Sequence, residues 1–217
     1  MSRPSEEKFD LLVVVADLDQ EEAMKGLLPR FQSLRTSQFN FKVTRLKNTP
    51  GDSGTRTNGA EYLRTMQHTF ARAFLLLDRQ GAGSNDTSEQ FENELEERLE
   101  RYGLGDRTRC VVIDPETEAW IWGGSAVLEE IIGWSSPPSL KDWLVQNNWM
   151  SVGQVKPKQP KEAFRDALRR VKQPPFATLF RKIAKRMSFQ SCEDLAFNRL
   201  LTTLRTWFPA NAPEDHS

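Results

Sequence analysis

The chain has 217 residues, 38% of them hydrophobic and 28% charged, with 30 Lys and Arg against 30 Asp and Glu. That length suits one large domain or a domain with an appendage, and the composition excludes a disordered chain. No run reaches the ~18 consecutive apolar residues of a membrane span, residues 1–10 lack a basic-then-apolar leader pattern, and Cys110 and Cys192 alone make no disulfide framework, so a cytoplasmic protein without a membrane partner is expected.

The zero net charge hides an asymmetry. Residues 1–149 hold 17 Lys and Arg against 24 Asp and Glu, a balance of −7, whereas residues 150–207 hold 13 against 4, a balance of +9. A basic C-terminal part faces phosphates, an acidic partner or the acidic body of its own chain.

Along the chain, Phe9-Asp10-Leu11-Leu12-Val13-Val14-Val15-Ala16-Asp17 is continuously apolar and β-branched, the pattern of a strand buried on both faces. Asp19 is placed to cap a helix over 19–34, with Glu21 and Glu22 in its first turn, where the helix dipole favours anions. The alternating stretch 39–46 predicts a less buried strand, and a polar loop over 48–57, with two Gly and one Pro, leads to a helix over 58–68. Strand three is expected over 71–78, followed by a flexible Gly-containing loop, a highly charged helix over 88–102 stopped by Gly103, and strand four over 109–114. Pro115 suits the first turn of a further helix that carries Glu116, Glu118, Trp120 and Trp122. From residue 135 on, helices follow one another at about 140–147, 161–172, 176–187 and 192–208, the last with an apolar stripe at Leu195, Phe197, Leu200, Leu201, Leu204 and Phe208.

Strands alternating with helices predict an α/β fold: a mainly parallel sheet of about four strands flanked by helices, over residues 1–134, with an all-helical basic extension over 135–217 packed on or beside it. Three strands end in an acid, Asp17, Asp78 and Asp114, and parallel strands bring their carboxyl ends to one crevice. Carboxylates gathered there repel one another unless a hard cation such as Mg²⁺ or Mn²⁺ joins them; the plain alternative is that each Asp caps the turn after it. On an α-helix Glu116 and Glu118 would diverge by about 200° and could not face one ion together, whereas Glu118 and Trp122 would share a face. The tryptophans are expected to pack rather than to stack a base. Arg165, Arg169 and Lys172 share one expected helical face, and Lys182, Lys185 and Arg186 another, which suits a nucleic-acid backbone or simply a solvated surface. With His68 and His216 far from any predicted nucleophile, neither a Ser-His or Cys-His pair nor a zinc site is expected.

The order Asp17 with Glu22, then Leu75-Leu76-Leu77-Asp78-Arg79-Gln80-Gly81, then Asp114-Pro115-Glu116-Thr117-Glu118-Ala119-Trp120 resembles small bacterial Toprim-like proteins of defence loci, including the methylation-associated defence system. The likeness spans about residues 9–134. It implies that Asp17 stands at the strand-one acid and Asp78 at the first Asp of a site that holds Mg²⁺ or Mn²⁺ for phosphodiester cleavage; beside the resemblance, Glu118 is expected to complete the set, with Glu116 as a further ligand and Glu22, Asp19 and Asp114 supporting. It also implies other proteins of a multi-gene antiphage system as partners, with DNA or RNA as candidates. The chain departs from the Toprim pattern twice: an Asp stands for the strand-one Glu, and Gln80 occupies the second position of Asp-x-Asp. Two readings therefore stand, a metal-dependent nuclease component and a non-catalytic subunit that binds a partner protein, nucleotide or nucleic acid.

Overall fold

The structure, a computed structural model, describes residues 8–83, 85–189, 192 and 194–210. Among these, strands β1 (Phe9–Val15), β2 (Phe41–Arg45), β3 (Phe70–Asp78) and β4 (Thr108–Ile113) form one all-parallel sheet in the order β2-β1-β3-β4. The chain is thus α/β, with helices on both faces of the sheet and a helical C-terminal region.

The continuous apolar runs have a simple cause, since alternate residues enter two different cores. Leu11, Val13 and Val15 of β1, Phe74 and Leu76 of β3, and Val111 and Ile113 of β4 face one side. There they meet helix α1 (Leu18–Leu27) and the C-terminal helices α5 (Ser125–Ile132), α6 (Leu140–Gln146), α7 (Pro160–Arg170), α8 (Thr178–Ala184) and α9 (Leu195–Trp207). Leu12 and Val14, Leu75 and Leu77, and Cys110 and Val112 face the other, where helices α3 (Gly51–Thr65) and α4 (Ser88–Arg101) lie. The two cysteines are buried in different cores, Cys192 in the first and Cys110 in the second. No helix of the described residues is long and apolar enough to cross a membrane.

Several boundaries differ from expectation. The expected helix over 19–34 is broken: α1 stops at Leu27 and a four-residue helix α2 (Phe31–Leu34) follows, because Pro29 between them has no N–H to continue the ladder. Asp17, not Asp19, caps α1, its side chain accepting from the Gln20 N–H at 2.8 Å. The polar loop expected over 48–57 is mostly helix, since α3 begins at Gly51 directly after the extended Pro50. The helix expected at Pro115 is a 3₁₀ segment over Thr117–Gly124, and only from Ser125 does the chain become α-helical.

The outer edge of β4 is closed by side chains. Glu96 and Glu92 of α4 accept from the Cys110 and Val112 N–H groups at 3.0 and 2.9 Å, so two edge donors that would otherwise invite another strand are satisfied internally. Glu92 is itself buried and ion-paired to Arg199 of α9, which ties α4, β4 and α9 together.

On the opposite face, α8 lies directly on α1. Arg181 reaches Glu22 at 2.6 Å, and Arg30 caps the end of α8 by donating to the Ala184 and Met187 carbonyls at 2.7 and 2.9 Å. The contact needs Gly26, where a Cβ would stand 2.5 Å from the Arg181 carbonyl oxygen and 3.0 Å from the Ala184 Cβ. Gly26→Ala would gain about 1 kcal/mol of helix propensity, but a backbone carbonyl cannot swing away as a flexible side chain can. Overpacking therefore wins, and a net loss of about 1–3 kcal/mol is expected in denaturant unfolding; an unchanged or raised midpoint would contradict this account of the α1–α8 contact.

Candidate functional site

The strand order places the site. From β1 the chain crosses to β2 on one side and from β3 to β4 on the other, so the crevice outside the carboxyl ends of β1 and β3 is the topological switch point. Val15 pairs with Leu76 across this junction, and Asp17 and Asp78 each stand two residues further on.

Asp78 is held from several sides. It is 3% exposed, and its Oδ1 accepts from Gln20 Nε2 at 2.9 Å and from the Thr117 hydroxyl at 2.8 Å. Its own N–H donates to Asp52 Oδ1 at 2.7 Å. Gln20 closes a second link by accepting from the Ala16 N–H at 2.9 Å, so one buried amide joins β1, α1 and β3. Burial pushes the Asp78 carboxyl well above its ordinary range, with the charges of Asp52 and Asp17 adding to the effect, against the Thr117 hydrogen bond. Asp52 is raised likewise, first by burial and then by Asp17, with the Asp78 N–H opposing.

Asp52 escaped sequence reasoning because the segment 48–57 read as a loop. The available signal was an acid two residues after Pro50, in the first turn of a helix where the dipole favours it. Asp52 lies against the turn after Asp78, where a Cβ on Gly81 would be 2.1 Å from its Oδ2, so a larger residue at 81 would push the Asp52 carboxyl off the Asp78 N–H. Gln80, which stands at the second Asp-x-Asp position, is exposed.

Glu116 and Glu118 belong to a neighbouring group. Glu116 accepts from the Lys161 backbone N–H at 3.0 Å, and Lys161 Nζ lies 3.3 Å from Glu116 and 3.8 Å from Glu118. The expected divergence of the two glutamates does not hold, because Glu116 precedes the 3₁₀ segment instead of sharing an α-helix with Glu118. Both face one cation, and that cation is a lysine at the start of α7. Burial raises the Glu118 carboxyl to about 7, opposed by Lys161 and reinforced by Glu116 and Asp19. Asp19 is raised by burial and by Asp17, while Lys161 and Arg165 pull it down.

The remaining predicted residues are spread out. Glu22 is buried and pairs with Arg181, away from Asp78, and the exposed Asp114 pairs with Arg79 at 2.8 Å. Trp120 and Trp122 are core residues, and Trp120 Nε1 donates to Asp194 at 3.0 Å. Of the basic residues, Arg169 pairs with Asp166 and Arg186 with Glu130, while Arg165, Lys172, Lys182 and Lys185 are exposed.

Hard carboxylate oxygens are the right chemistry for Mg²⁺ or Mn²⁺, and Mg²⁺ commonly binds through one or two carboxylates with waters completing its shell. Asp17, Asp52 and Asp78 form one group and Asp19, Glu116, Glu118 and Lys161 another, and among the described residues no set of three or more His, Cys, Asp or Glu side chains is placed to hold a metal ion. Comparison of the chain with protein-family models, with curated proteins and with solved structures finds no match.

Two predictions follow from these groups. Glu118, normally near 4.5, stays protonated in the folded chain up to about pH 7, so its contribution to stability is fullest below about 4.5, falls as pH rises, and is lost above about 7. Glu118→Gln is therefore expected to flatten the decline in melting temperature between pH 5 and 8, worth about 1–3 kcal/mol relative to wild type; parallel pH curves would contradict it. Asp78→Asn keeps an acceptor for Gln20 and Thr117, whereas Asp78→Ala leaves two buried donors unpaired. Chemical unfolding should find the alanine variant less stable than the asparagine variant by about 1–3 kcal/mol.

Proposed function

We propose that this chain is a Toprim-like subunit of a bacterial multi-gene antiphage defence system that acts by binding a ligand or partner, without cleaving phosphodiesters. The setting rests on the resemblance of the strand-end motifs around Asp17, Asp78 and Asp114 to defence-associated Toprim-like proteins. The binding reading rests on one observation: Asp78, the acid that a Toprim site would present to a metal, is buried and already engaged by Gln20 and Thr117. A carboxyl group held by two internal donors and biased towards its neutral form is a structural link more than a ligand. Gln80 in place of the second acid, and Lys161 between Glu116 and Glu118, support the same reading.

The chemistry left to such a site is recognition at the carboxyl edge of the sheet, where small ligands of open parallel sheets bind. Exposed Lys172, Lys182 and Lys185 on the adjoining helical surface are available to a phosphate backbone or an acidic protein.

Titration calorimetry with Mn²⁺ on the wild type and on Asp78→Asn, which conserves the internal acceptor, tests the proposal. No saturable heat in either protein is the expected result. Saturable binding by the wild type that Asp78→Asn abolishes would overturn it in favour of a metal-dependent nuclease.

A further inference from the structure

A small cavity opens beside the acidic edge, where α1, the 3₁₀ segment, α7 and the approach to α8 meet. Its volume is about 110 Å³, and Asp19, Glu118, Lys161, Arg165 and Phe176 line it. At roughly 30 Å³ per water it has room for three or four waters or for one planar ring system. That is well below the ~300–1,000 Å³ of a pocket enclosing a whole small ligand, so only part of a ligand would enter and the rest would stay at the mouth.

The lining divides by chemistry. Phe176 is 56% exposed, a large apolar ring left in water at the cavity's rim and held out by Pro174 and Pro175 before it. Prolines restrict the chain that carries the ring, so little entropy is lost when a flat partner settles on it. Phe164 and Phe180, both 4% exposed, close the apolar side of the cavity. Asp19 and Glu118 supply acceptors, whereas the exposed Arg165 presents a guanidinium and Lys161 an ammonium on the same lining. An aromatic face, two carboxyl groups and a guanidinium around a ring-sized space match a ligand with a flat, donor-bearing ring and an anionic tail.

We propose that this cavity binds a purine nucleotide, the base stacked on Phe176 with its donor edge towards Asp19 and Glu118, and the phosphate held by Arg165. Guanine suits the carboxyl groups better than adenine where they are ionised, which for Glu118 is above about pH 7, because its N1–H and N2–H₂ groups are adjacent donors, whereas adenine sets a ring acceptor beside its single amino group. Arg165 matches a phosphate as a planar fork that can donate two hydrogen bonds at once. The assignment deepens the binding function proposed above and rests on it.

The test is titration of the full chain with GMP, AMP and guanosine in metal-free buffer above about pH 7, where Glu118 is ionised, using wild type, Phe176→Ala and Arg165→Gln. Both substituted side chains are exposed, so the melting temperatures of the variants should match wild type. Saturable GMP binding tighter than AMP binding is expected, weakened about tenfold or more by Phe176→Ala, since base–aromatic stacking is lost. Arg165→Gln is expected to weaken GMP while leaving guanosine unchanged. No saturable GMP binding, or GMP binding indifferent to Phe176→Ala, would overturn the assignment. Because metal is withheld, that failure is separate from the Mn²⁺ result: a chain that binds neither loses the nucleotide alone, and one that binds Mn²⁺ through Asp78 loses the binding-only function.

Discussion

Parallel strands deliver their ends to a single edge, and here that edge receives more carboxyl groups than it can hold ionised. Asp17, Asp52 and Asp78 lie within electrostatic reach of one another, as do Asp19, Glu116 and Glu118. Much of the architecture around the site can be understood as relief of that repulsion. Gln20 and Thr117 donate to Asp78, a glycine at 81 lets Asp52 come close enough to accept from the backbone, and Lys161 is brought from α7 to stand between two glutamates. Each device also fastens one crossover to another, so electrostatic relief and tertiary organisation come from the same bonds.

The C-terminal helices are fixed by similar means. Arg181 to Glu22, Lys156 to Asp194, Arg186 to Glu130 and Arg199 to Glu92 join basic residues of the last third to acids, most of them in the acidic body. Part of the charge asymmetry along the chain is therefore spent within the molecule. The first core is shared as well, since Phe164, Phe180, Phe197 and Leu200 sit in the same cluster as Val13 and Phe74 of the sheet. The helical region serves as the cover of one sheet face, without which Leu11, Val13 and Val15 would meet water.

The strands were legible in sequence because burial on both faces leaves no polar alternation, and β1, β3 and β4 begin and end within two residues of their apolar runs. Asp17 and Asp78 were legible for the same reason, as acids that close such runs. What sequence hid was pairing over distance. Asp52 lies 26 residues from the N–H it accepts, Thr117 lies 39 residues from Asp78, and Lys161 lies 45 residues from Glu116. Local pattern carries no information on such partners. The start of α3 was obscured because Pro50 and Gly51 read as loop punctuation, although proline also serves at helix starts, and the two glutamates were misplaced because an α-helical spacing was assumed where the chain turns differently.

The carboxylates of α4 on the β4 edge have a consequence for how copies of this chain can meet. With the Cys110 and Val112 donors occupied by Glu96 and Glu92, a strand from a second copy finds no free N–H at those two positions of β4. Strand-to-strand growth from that flank therefore starts two hydrogen bonds short.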